Sequence, residues 1–127
     1  MTNREVVITD KAPKAVGPYS QAIMSVDFIF TAGQIAINPA TGNIIEGDFK
    51  SRVRQILSNL DIILREADSS LDNAVKLTVF LTDLSRFDEL NDVFREIFSN
   101  DPPARSAVQV SDLPLGTDVE IDCIAVR

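Results

Sequence analysis

Arg105 is the one basic residue between Asn100 and Val126, a stretch that also carries Asp101, Asp112, Asp118, Glu120 and Asp122. A guanidinium presents a rigid fork of N–H donors that fits a carboxylate bidentately, so an arginine set apart in this way can hold a small anion. It can equally pair with a nearby acid, the ordinary fate of an arginine on a surface strand. Pro102 and Pro103 precede it and force an extended approach, which fixes where its side chain starts. Glu120 and Asp122 stand two residues apart, so on a strand both carboxylates share a face. Tyr19 is the sole tyrosine and follows Gly17-Pro18, and Gly33 interrupts a strand-like run.

The residues that are missing narrow the chemistry further. There is no histidine and one cysteine, Cys123, in 127 residues. That excludes Ser-His-Asp and Cys-His catalysis, imidazole acid–base work and any usual zinc site. No glycine-rich phosphate loop is visible, so neither metal nor cofactor is expected. Any reaction must run on carboxylates, arginine, tyrosine, backbone groups and water. The formal net charge of −7 repels nucleic acid. The densest basic group, Lys50, Arg52 and Arg54, reads as a solvated helix face. No apolar run approaches the roughly 18–20 residues that span a bilayer. Met1 to Glu5 shows no secretory signal, and a lone cysteine implies a reducing compartment. The expectation is a cytoplasmic protein, a mitochondrial location remaining open, folded as one domain over 1–127.

The elements that must position these residues follow from periodicity. Glu5 to Thr9 is a short β-rich run, Asp10 to Tyr19 a loop punctuated by Pro13, Gly17 and Pro18, and Asp27 to Ile37 a strand closed by a turn at Asn38–Asn43. Asp48 caps a helix whose Phe49, Val53, Ile56, Leu57, Leu60, Ile63, Leu64 and Ala67 form one apolar face, ended by Asp68-Ser69-Ser70. Val75 to Thr82 alternates as a strand. Ser85 to Asp88 resembles a capping box that opens a second helix, with Phe87, Leu90, Phe94, Ile97 and Phe98 as its stripe. Ala104–Val110 and Val119–Val126 complete the set. The order βββ-α-β-α-ββ predicts an α+β sandwich, a mixed sheet with both helices on one face.

Two strands show what the sheet's faces do. Val75, Leu77, Val79 and Leu81, with Val119, Ile121, Cys123 and Ala125, suit the surface under the helices. Lys76, Thr78, Phe80, Glu120, Asp122, Ile124 and Val126 make the opposite face part apolar and part charged, yet no third helix is available to cover it. Self-association is the natural cover, with the polar residues lining clefts between subunits.

Five blocks then identify a family. Val16-Gly17-Pro18-Tyr19-Ser20-Gln21-Ala22, Thr31-Ala32-Gly33-Gln34-Ile35, Val75–Leu81, Pro103-Ala104-Arg105-Ser106-Ala107 and Val119–Val126 resemble the Rid family, also called YjgF, in order and over essentially the whole chain. The resemblance implies a chorismate-mutase-like fold and a homotrimer with sites between subunits. It implies hydrolysis of 2-enamino or 2-imino acids, such as 2-aminoacrylate released by PLP enzymes, to 2-keto acids and ammonia, without metal or cofactor. The enzyme class implied is a 2-iminobutanoate/2-iminopropanoate deaminase.

On that resemblance Arg105 binds the substrate carboxylate and Glu120 orients or activates the attacking water. Tyr19 closes the pocket from its loop, or else merely anchors a turn. Gly33 admits substrate or water to the backbone, or else kinks a strand. Asn91 lines the pocket, or else decorates a helix surface. Asp122 is an edge or interface charge. Ala107 stands where many relatives carry cysteine and Ala32 where many carry serine. The first removes any thiol chemistry while keeping the backbone contact; the second removes a pocket hydroxyl and puts substrate preference in question. Cys123 is expected to be a small core residue. Endoribonuclease or translation-inhibitor activity, and non-catalytic binding or chaperone roles, remain the alternatives. The first sits poorly with −7 charge and no histidine.

Overall fold

In the computed structural model, which describes residues 3–127, six strands form one sheet. They are β1 (Arg4–Val7), β2 (Ala22–Ser25), β3 (Phe28–Thr31), β4 (Ala74–Leu81), β5 (Ala104–Gln109) and β6 (Val119–Val126), laid side by side as β1-β2-β3-β6-β4-β5. Every pair is antiparallel except β4 and β5, so the sheet is mixed. Helices α1 (Phe49–Glu66) and α2 (Phe87–Ile97) pack together on one face, giving the α+β order that the periodicity predicts. Met1 and Thr2, part of the Met1–Glu5 segment expected to carry no secretory signal, lie outside the described residues.

α1 forms where the apolar stripe and the cap agree. Asp48 accepts the Ser51 N–H at 2.9 Å, and Phe49, Val53, Ile56, Leu57, Leu60, Ile63 and Leu64 are buried. Each such side chain contributes about 1.5–3 kcal/mol on burial. Asn59 joins them as a buried polar residue and donates to Ile37 O at 2.8 Å, which satisfies its amide. Across the sheet, Leu77, Val79, Leu81, Val119, Ile121, Cys123 and Ala125 are buried beneath the helices. Lys50 meets Asp92 at 2.9 Å and Arg54 meets Glu96 at 2.8 Å across the helix pair, while Arg52 grips Asp118 through two N–H groups. All three cations of the densest basic group are thus neutralised, which leaves no basic stripe there.

Four local expectations are corrected. The run Asp27–Ile37 is not one strand: β3 stops at Thr31, and pairing with β6 resumes only at Gln34 opposite Ile121. Between them the Cys123 N–H goes to Thr31 Oγ1 and the Ala32 N–H to Gln21 O, so the ladder is broken by a side-chain acceptor and a neighbouring loop. β2 is the remaining strand of the expected βββ start, lying in the stretch before Asp27 for which periodicity gave no range. Val75 is exposed, because a register irregularity between Ala74 and Lys76 swings it away from the helices. The capping box at Ser85 is absent: Asp83 accepts the Ser85 N–H and caps a short 3₁₀ turn, and α2 starts from Arg86 with no side-chain cap. On α2 itself Leu90, Val93, Phe94 and Phe98 are buried, whereas Phe87 and Ile97 ride half-exposed at its edge.

Candidate active site in two halves

The parallel β4–β5 register decides where Arg105 points. Arg105 lies opposite Leu77, a residue buried under the helices, so its side chain turns to the helix side at the sheet edge. There the guanidinium carbon sits 4.9 Å from the centre of the Phe94 ring and 5.1 Å from that of Phe87. Such contacts fix the plane of the guanidinium without neutralising it. Among the described residues the ion pairs engage Lys50, Arg52, Arg54, Arg65, Arg86, Arg95 and Arg127, and Arg105 is in none of them. Burial pulls its pKa below the usual arginine value, yet a guanidinium stays charged at neutral pH. It faces an open cleft of about 390 Å³ shared with Asn91, Pro102 and Pro103. Ala107 follows on the same face, opposite Val79 and packed against the core.

Glu120 is on the other side of the sheet. Its register partner is Phe80, on the face away from the helices. It borders a second cleft, about 360 Å³, with Tyr19, Gly33, Gln34, Pro114 and Leu115. Burial first, and then the charge of Asp122, raises the pKa of Glu120 above the ordinary glutamate value. Asp122 is itself raised by burial, with a hydrogen bond from Thr78 and the charge of Lys76 opposing the shift. Gly33 lies directly against the Glu120 carboxyl, so the group that approaches this glycine is a side chain of the same chain.

One amide holds the loop that carries Tyr19. The Gln21 side chain is buried; its Nε2 donates to Thr9 O (3.0 Å) and Pro13 O (2.8 Å), and its Oε1 accepts the Thr9 N–H (2.8 Å). This pins Asp10–Tyr19 to the start of β2. Tyr19 remains about half-exposed, with its hydroxyl accepting the Val16 N–H at 3.3 Å, so it anchors its turn and lines the cleft at once. Ala32 is half-buried beside that loop.

A single chain therefore brings Arg105, Asn91 and Ala107 together on one side, and Glu120, Gly33 and Tyr19 together on the other. It does not unite the two groups. Phe87 and Phe94 are functional candidates that periodicity assigned to the core stripe alone; their seven-residue spacing on α2 is shared by core and cradle. Leu115 carried no sequence signal. Cys123 is buried and its thiol is pushed up to about 12, mainly by burial, as befits a core residue.

Chemically, one half can hold a carboxylate and the other can move a proton to or from water. The profile of the family described as Endoribonuclease L-PSP matches residues 9–127. A RutC family protein of Pyrococcus abyssi is 48% identical over 124 residues, covering 98% of each chain. The bovine protein named 2-iminobutanoate/2-iminopropanoate deaminase is 42% identical over 124 residues, covering 98% of this chain and 90% of that one. The crystal structure of RidA from an Antarctic Psychrobacter superposes with a TM-score of 0.93 at 44% identity, covering 97% and 99%.

Proposed function

The chain belongs to the Rid/YjgF family, whose profile bears the name Endoribonuclease L-PSP, and from that premise we propose that it hydrolyses 2-imino and 2-enamino acids to 2-keto acids and ammonia. The observation that carries this reading is Arg105: a charged fork, stacked on two rings, with no carboxylate of its own among the described residues. A substrate carboxylate completes it.

The steps then follow from the groups available. Arg105 of one copy holds the carboxylate. Glu120 of a second copy takes a proton from water as the water oxygen bonds to the imine carbon. With the imine protonated, the C=N π pair moves to nitrogen as the carbinolamine forms. The Glu120 proton then passes to that nitrogen, the C–N bond breaks to release ammonia, and the hydroxyl returns its proton to Glu120 as the carbonyl of the keto acid forms. Two copies are needed because the sheet separates Arg105 from Glu120 within each chain. A homotrimer of about 42 kDa, three times the 13.9 kDa chain, closes such a head-to-tail arrangement with three equal sites. Each copy acts as one domain over 1–127. No helix among the described residues is long and apolar enough to cross a membrane, and we place the protein in the cytoplasm.

Subunit mixing tests this. Arg105→Ala and Glu120→Gln are each expected to be nearly inactive alone in keto-acid release from a coupled dehydratase. Refolded together in equal amounts, they regain about one quarter of wild-type activity, because that share of random interfaces unites an intact arginine with an intact glutamate. No recovery on mixing refutes the shared site. The family profile's name supports RNA cleavage as a second reading, but the −7 charge and missing histidine oppose it. An RNA substrate incubated in parallel should remain intact. Saturable keto-acid binding without turnover would instead indicate a binding module.

A further inference from the structure

Leu115 stands at the rim of the cleft that holds Glu120, in a placement unfavourable twice over. The residue is 74% exposed. Its backbone, at φ 57° and ψ 20°, lies in the left-handed region that a leucine rarely adopts. Pro114 precedes it and Gly116, at φ 69°, follows, so the turn sets two successive residues in that region. Asparagine or glycine would accept the same backbone readily and present no isobutyl group to water. The cleft explains what that group is for. Its charged members are Lys14 and Glu120, whereas Val16, Ile35, Ile37, Pro114 and Leu115 give it an apolar wall.

We propose that Leu115 is a specificity-determining residue that touches the side chain of the bound 2-imino acid and favours branched aliphatic side chains over a methyl group, an assignment that rests on the deaminase reading above. With the carboxylate drawn to the guanidinium of a neighbouring copy and the imine carbon beside Glu120, the remaining substituent on that carbon runs along the apolar wall. A cleft of about 360 Å³ has room well beyond a methyl group. Burying an aliphatic side chain there also covers the exposed isobutyl of Leu115, so apolar surface leaves water on both partners.

The test uses the full chain and two substrates, 2-iminopropanoate and 2-imino-4-methylpentanoate, each generated in situ from alanine or leucine by an amino-acid oxidase. Wild type is expected to show the higher kcat/KM on the branched substrate. Leu115→Gly and Leu115→Asn both suit a left-handed backbone, so Tm should hold or rise while kcat/KM on the branched substrate falls about tenfold. The methyl substrate should change far less. An unchanged ratio of the two substrates, or an equal loss on both, overturns the assignment while leaving the deaminase reading intact. Absence of wild-type turnover on both substrates overturns the deaminase reading and this assignment with it.

Discussion

A Cβ built on Gly33 would stand 2.8 Å from Cδ of Glu120 and 3.0 Å from its Oε2. The carboxyl of Glu120 therefore rests in the space that any other residue at 33 would fill. Sequence alone offers Gly33 as a place where substrate or water meets the backbone, or as a kink. The structure makes it the recess that sets the direction of the candidate base, just where β3 has broken from β6.

Gly33→Ala should accordingly disturb Glu120 more than the fold. The added methyl meets a side chain rather than backbone, so the carboxyl is expected to move and the sheet to stay. A displacement of the base by about 1 Å costs on the order of a hundredfold in kcat. Binding of a 2-keto acid should remain near the wild-type value. Wild-type kcat in this variant would mean that Glu120 need not occupy its present position.

Arg105→Ala should weaken 2-keto-acid binding by about 2–5 kcal/mol, the range for truncating one partner of a buried charge pair. Arg105→Lys should recover only part, because an ammonium lacks the fork. Phe87→Leu keeps an apolar side chain at a half-exposed site but removes a ring face from the guanidinium. It is expected to cost about 1 kcal/mol of that binding. Calorimetry with the keto acid reads all three, and full affinity in Arg105→Ala would remove the carboxylate site.

The pH profile should follow Glu120. On the proposed mechanism its ionised form accepts the proton from water, so kcat/KM is expected to rise with pH through its pKa. Burial and then the Asp122 charge hold that pKa above the ordinary glutamate value, which moves the rising limb to higher pH than a free glutamate would give. Asp122→Asn removes the neighbouring negative charge, and the limb should move to lower pH. Glu120→Gln should abolish it. A limb indifferent to both substitutions belongs to another group.

Exhaustive chelation should leave the rate unchanged, because the chain offers no histidine and a single buried cysteine as ligands. Loss of activity with EDTA and its return with an added metal would contradict this.

Much of the architecture was legible because local and tertiary demands coincide. Asp48 and the stripe from Phe49 to Leu64 specify α1 on their own, and the uniformly apolar set Val119, Ile121, Cys123 and Ala125, alternating with a mixed set, shows which face of β6 the helices cover. The alternation also places Glu120 on the opposite face. What was not legible depends on partners distant in sequence. The break after Thr31 depends on an acceptor at Gln21 and on the donor at Cys123, and the exposure of Val75 depends on the irregularity in the β4–β6 pairing, where Val75 has no partner. The side on which Arg105 emerges requires the parallel register with β4, since Ala104–Gln109 is too mixed in character to reveal its faces. For the same reason the candidate residues could be proposed from sequence, while their placement on two opposite sides of the sheet could not.

On the proposed shared-site reading, that separation makes turnover a property of concentration as well as of sequence. A chain whose arginine and glutamate look out from opposite sides of its own sheet is then expected to be inert when solitary. Diluted below the dissociation constant of its assembly, the protein should lose specific activity while each copy stays folded. If the uncovered sheet face is the interface, the threshold at which this happens is expected to respond to substitution of its apolar residues, Phe28, Phe30, Phe80 and Ile124 among them, none of which needs to touch substrate.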